Sequence, residues 1–134
     1  MCRQGASAIQ TKVFDSIANP TLRAYIAWVP ILPDDGGAAA NESSALVTDS
    51  RVSQFWDESK ALPGPFAKTL ELPDGWPAWD VYLAYPPGAR WDGEPPKPAF
   101  WHHQLPGLSI APTLDAGRFA QQLRELLATN KEQP

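Results

Sequence analysis

The sequence predicts an α/β fold with a mixed sheet, helices on both faces, and a β-hairpin followed by a helix at the C-terminal end. Three observations lead there: an amphipathic helical stripe at each end of the chain, strand-like apolar runs alternating with helical segments, and a strongly alternating segment ahead of a Pro-Pro-Gly turn. Ile9, Val13, Phe14 and Ile17 fall on one face of a helix over 3–18, which Asn19-Pro20 ends. Residues 22–32, with Tyr25, Ile26, Trp28, Val29 and Ile31, are apolar nearly throughout, as expected of a strand covered on both sides. Pro33-Asp34-Asp35-Gly36-Gly37 stops it.

An Ala-rich stretch at 38–48 predicts a short helix, and Arg51 to Trp56 has the β-branched and aromatic content of a second strand. Leu62, Phe66, Ala67 and Leu70 predict a third helix starting near Pro65. Residues 79–85 (WDVYLAY) alternate and lead through Pro86-Pro87-Gly88 into Ala89-Arg90-Trp91, which predicts a hairpin with Gly88 at positive φ. Residues 92–112, rich in proline, read as loop with room for a short edge strand. Phe119, Leu123, Leu126 and Leu127 form the stripe of a last helix capped by Thr113 or Asp115. Parallel pairing early and antiparallel pairing late follow from this order.

At 134 residues the chain has the length of one domain, 1–134. A formal net charge of -4 gives no electrostatic footprint for nucleic acid or an anionic membrane. Apolar runs stay well short of the roughly 20 residues of a membrane span, and the first residues lead into no signal-peptide stretch, so a soluble chain without an address is expected. The single cysteine excludes an internal disulfide and a cysteine-type zinc site. Phosphate loops, serine-nucleophile elbows and H-E-x-x-H are absent from the sequence, so no cofactor is expected.

Three features resemble the thioredoxin-like superfamily, in particular the thiol-disulfide oxidoreductase and peroxiredoxin-related branch. Cys2-Arg3 ahead of a helix resembles the second cysteine and basic residue of a C-x-x-C-[RK] motif; Trp76-Pro77-Ala78 before a strand resembles the cis-proline segment; and 79–91 is similar to the family hairpin. The resemblance implies a thioredoxin-like mixed sheet, Cys2 as a catalytic thiol, and Trp76 and Pro77 as a binding segment for a thiol-bearing protein or peptide. The chain departs from the pattern by lacking the first cysteine and the strand before it. It reads either as an oxidoreductase without its N-terminal piece or as a redox-inactive relative that binds a protein or peptide.

The physical chemistry of the residues runs alongside. A helix N-terminus and Arg3 would stabilise a Cys2 thiolate, while a frayed chain end would leave it ordinary. A cis Pro77 would present main chain to an extended partner. Asp34, Asp35 and Asp57 at strand ends read chiefly as caps of the following turns and helices. Asp80 in an apolar strand asks for a partner, with Arg90 across the hairpin nearest, or serves as a proton acceptor near the cysteine. His102 and His103 point to opposite sides of an extended chain, which leaves a metal site improbable. The six tryptophans read as core or hairpin packing rather than a sugar platform.

Overall fold

The computed structural model describes the backbone of residues 2–131 and the side chains of residues 3–130. The element order is the expected one: α1 (Cys2–Ile9) running into a π-helical turn Gln10–Phe14, β1 (Ala24–Trp28), α2 (Gly37–Ser44), β2 (Val52–Trp56), α3 (Pro63–Thr69), β3 (Val81–Ala84), β4 (Phe100–His103) and α4 (Ala116–Lys131).

The first helical stripe forms as its spacing dictates, with Val13, Phe14 and Ile17 buried and Ile9 packed beside them. One residue more than the α period is inserted: the amide of Asp15 donates to the carbonyl of Gln10 at 2.9 Å, the i→i+5 bond of a π turn. At the other end of the chain Asp115 caps α4, its Oδ1 accepting from the Arg118 amide at 2.9 Å. Phe119, Ala120 and Leu123 of α4 meet Val13, Phe14, Ile17 and Ala84 in one core, against which Ala24, Val52, Tyr82 and Phe100 pack. All four strands therefore lie against one helical layer built from α1, the π turn and α4.

The strands form two separate ladders instead of one mixed sheet. β1 pairs with β2 in parallel, Ala24 opposite Val52 through Trp28 opposite Trp56, and β3 pairs with β4 antiparallel, Val81 opposite His103 through Ala84 opposite Phe100. The expected cover on both faces of the first strand is present on one only, since Tyr25, Ala27, Ser53 and Phe55 share an exposed face. The expected hairpin also fails. Gly88 does turn at φ +85°, but residues 89–91 do not return along β3. Trp91 instead sets its ring edge-on to Phe66 of α3 at 5.3 Å, Lys68 pairs with Glu94, and Thr69 Oγ1 donates to the carbonyl of Pro95 at 3.1 Å. The long connection is thus anchored across α3, and the strand paired with β3 is Phe-Trp-His-His, from the stretch read mostly as loop.

Gly5 is required by a close approach. An added Cβ there would lie 1.9 Å from Tyr82 Oη and 2.7 Å from Gln104 Oε1, so α1 can seat against β3 only without a side chain at this position.

Candidate functional site

Cys2 is the first residue of α1, and its side chain lies outside the described residues. Arg3 follows on the exposed side and lines an open cleft of about 660 Å³ together with Ser7, Lys12 and the start of α4 at Asp115–Gly117. One turn on from Cys2, Gly5 rests on Tyr82, whose hydroxyl donates to Gln104 Oε1 at 3.0 Å. The Gln104 amide in turn donates to the carbonyl of Asp80 at 2.9 Å. The start of α1 and the start of β3 are therefore neighbours, as the resemblance implies for Cys2 and Asp80.

Trp76 and Pro77 are placed differently from expectation. The described peptide bonds are all trans, so Pro77 is not a cis-proline. Its segment is held by the start of α3, where the Ala78 amide donates to the carbonyl of Pro63 at 3.2 Å and Ala78 is buried. The Trp79 amide closes onto the Pro77 carbonyl at 3.1 Å. This tight turn leads into Asp80 at φ +51°, so the change of direction before β3 is made at Asp80 rather than by isomerisation at Pro77. Both Trp76 and Pro77 stand at the surface. Asp80 precedes β3 instead of lying within it, and its Oδ2 is shielded from solvent. Arg90 lies exposed in the connection after β3 and has no hairpin to bring it across from Asp80.

The other carboxylates serve as caps. Asp35 Oδ2 accepts from the amides of Ile31 and Leu32 at 3.0 and 2.7 Å. Asp57 accepts from the amides of Leu62 and Ala61 and from Ser59, and the Leu62 bond foremost holds its carboxyl below the usual range. Asp34 is exposed. No group of His, Cys, Asp and Glu among the described residues is arranged to hold a metal ion, and no described helix is long and apolar enough to cross a membrane.

Two features escaped the sequence reading. Arg51 donates to the carbonyls of Phe14, Ile17 and Asn19 at 2.8, 2.5 and 3.0 Å while gripping Asp49 through Nε and Nη2 at 2.8 Å each. It thereby satisfies the carbonyls left open where the first helix ends. Its hydrogen bonds lower the Asp49 carboxyl to about 2. The Asp49-x-Arg51 spacing was visible, but the carbonyls it serves are more than thirty residues away in sequence.

His102 and His103 are the second feature, at 0% and 1% exposure. His102 Nε2 meets Gln122 Oε1 at 2.8 Å and its ring stands edge-on to Phe119 at 5.1 Å. His103 Nε2 meets the carbonyl of Ala111 at 2.9 Å, and its Nδ1 accepts from the Leu105 amide at 3.0 Å. They do point to opposite faces, yet both faces are closed over them.

The chemically distinctive surface is the free edge of the ladders. Each ladder is two-stranded, so β1, β2 and β3 pair on one side only. The outer edge of β4 is occupied: the His103 amide donates to Pro112 and the Leu114 amide donates to His103, at 3.1 and 2.7 Å. Beside the edge of β1 lies the exposed face where the rings of Tyr25 and Phe55 stack 6.4 Å apart. Unpaired main-chain groups next to aromatic surface offer an extended polypeptide both hydrogen bonds and apolar contact. Compared with known protein families, curated proteins and solved structures, the chain matches none.

Proposed function

We propose that the chain is a thioredoxin-like module that binds an extended segment of a protein or peptide by strand addition, the segment pairing with the free edges of β1 and β3. The observation that carries the reading is the division of four strands into two ladders under a single helical layer. Both ladders contribute to the same core, yet no hydrogen bonds described between strands join them. A further strand pairing with both edges turns the two ladders into one mixed sheet, the arrangement the resemblance implies. The incoming segment is apolar, because it would share one face with Ala24 and Ala84 and the helical layer behind them.

The test uses ten-residue peptides rich in valine and isoleucine with lysines at their ends, and a twin of each with alternate amide nitrogens methylated. Binding should slow hydrogen exchange at the amides of Tyr25, Ala27, Val81 and Leu83, and methylation should abolish it, because strand addition uses the peptide main chain. Binding that leaves the β1 and β3 amides unchanged, or that the methylated twin matches, overturns the reading.

A second reading, a thiol-disulfide oxidoreductase or a form of one with Cys2 as its remaining thiol, is favoured by the position of Cys2 as first residue of α1 and by the contact of α1 with β3. A single thiol can open a disulfide but has no second sulfur to resolve the mixed disulfide. Negligible catalytic reduction of insulin with dithiothreitol is expected, with at most single-turnover labelling at Cys2. Multiple turnover that survives Cys2→Ser would move the chemistry elsewhere.

A further inference from the structure

His103 lies between two ends of the segment 104–115. Its Nδ1 takes the Leu105 amide at one end, and its Nε2 donates to the Ala111 carbonyl near the other. His102 Nδ1 takes the Asp115 amide, at 3.5 Å, where the segment enters α4. A backbone N–H only donates, so in both rings Nδ1 is an acceptor and the proton sits on Nε2: both imidazoles are held neutral. The same segment, through Pro112 and Leu114, occupies the outer edge of β4.

We propose that His102 and His103 form an acid-sensitive clasp which, when neutral, holds the 104–115 segment over β4 and, when protonated, releases it. An imidazolium donates from both nitrogens. A second proton on Nδ1 would therefore turn donor toward donor at the Leu105 and Asp115 amides and place charge where neither ring touches solvent. Released, the segment uncovers the β4 edge and its buried anchor Leu105. This goes beyond strand addition at β1 and β3, since it concerns an edge that is closed at neutral pH.

The charges around the clasp come from each neighbouring element. On α4, Asp115 favours the proton and Arg118 opposes it, while Gln122 accepts from the ring; on β4 the two histidines oppose one another. Tyr82 of β3 lies opposite His102, and Asp80 precedes the β3 residue opposite His103. From α1, Arg3 and Lys12 share the cleft with Asp115. Burial foremost lowers the His102 ring below its ordinary 6.5. A folded value below the unfolded one means that the clasp is fully stabilising above about 6.5, and that this contribution drains away as pH falls through the folded value.

The test is hydrogen exchange on the full chain, corrected for intrinsic rates, at about pH 7.5 and about pH 5. Protection at His103, Leu105, Leu114 and Asp115 should fall about tenfold relative to the β1–β2 amides, and the His102→Gln/His103→Gln chain should lose this pH dependence. A constant ratio in the native chain, or an undiminished fall in the double variant, overturns the proposal. Should the variant not fold, the ring resonances of the native chain decide: their titration must coincide with the loss of protection, and separation of the two events overturns the clasp.

Discussion

The β1–β2 half and the β3–β4 half are both two-stranded and share one core, yet they are closed by opposite means. β1–β2 is covered on one face only and is fixed at its margins by long polar side chains reaching for main chain. Arg51 grips the end of the first helix. Gln54 takes Trp28 Nε1 at 2.9 Å and donates to the carbonyls of Ser44 and Val47 at 3.0 Å each, tying β1, β2 and the end of α2 together. β3–β4 is closed on both faces by ring packing and two neutral imidazoles: Phe100 and His102 meet Phe119, and Trp101 meets His103 5.9 Å away. One half leaves edges and aromatic surface open; the other spends its polar groups inward. A binding surface and a rigid support are thus segregated within one small chain.

The contrast is broken most severely at Arg51. Arg51→Ala strands three main-chain carbonyls and the Asp49 carboxylate, and a loss of about 3 kcal/mol is expected from charge-assisted bonds of this kind. Denaturant unfolding measures it, and a loss below about 1 kcal/mol would show that water replaces the guanidinium readily. Gly5→Ala attacks the seam between α1 and β3. The methyl group collides with the rigid Tyr82 ring, so a cost of about 1–3 kcal/mol is expected. Gly5→Ala combined with Tyr82→Leu should recover much of it; no recovery would place the strain elsewhere.

The smallest effect sharpens the comparison instead of breaking it. Tyr85 Oη is buried and has no hydrogen-bond partner among the described residues, and burial raises its ionisation above the ordinary 10.0. Tyr85→Phe removes the unpaired hydroxyl and keeps the ring, so a gain of about 1 kcal/mol is expected in thermal or denaturant unfolding. A loss of that size would reveal a partner for the hydroxyl.

What the sequence disclosed was local. The stripes of Ile9-Val13-Phe14-Ile17 and Phe119-Leu123-Leu126-Leu127 announced two helices because periodicity is set by neighbours three and four residues away. Asp35, Asp57 and Asp115 behaved as caps for the same reason. The hairpin failed because a turn signal does not choose a partner: Pro86-Pro87-Gly88 turns, but Phe66 captures Trp91, and Phe100 gains contact with Phe119 by pairing with Ala84. Pro77 was assigned its isomer by resemblance alone, and the turn it occupies is made in trans. Arg51 and the two histidines were illegible as anchors because their partners are distant backbone groups, which carry no side-chain signature.

The π turn at Gln10–Phe14 has a consequence for how this chain tolerates change in length. The extra residue sets the rotational phase between two halves of one rod: the first half presents Gly5 to Tyr82, and the second presents Val13, Phe14 and Ile17 to α4. Within the turn, Gln10 Oε1 receives the Thr48 amide at 3.0 Å, fixing the phase from outside. Deleting one residue here would give a more regular helix and rotate one half by about 100° against the other, since an α-helix turns 3.6 residues per revolution. The better helix would be the worse protein, because one set of contacts can then be kept only by giving up the other.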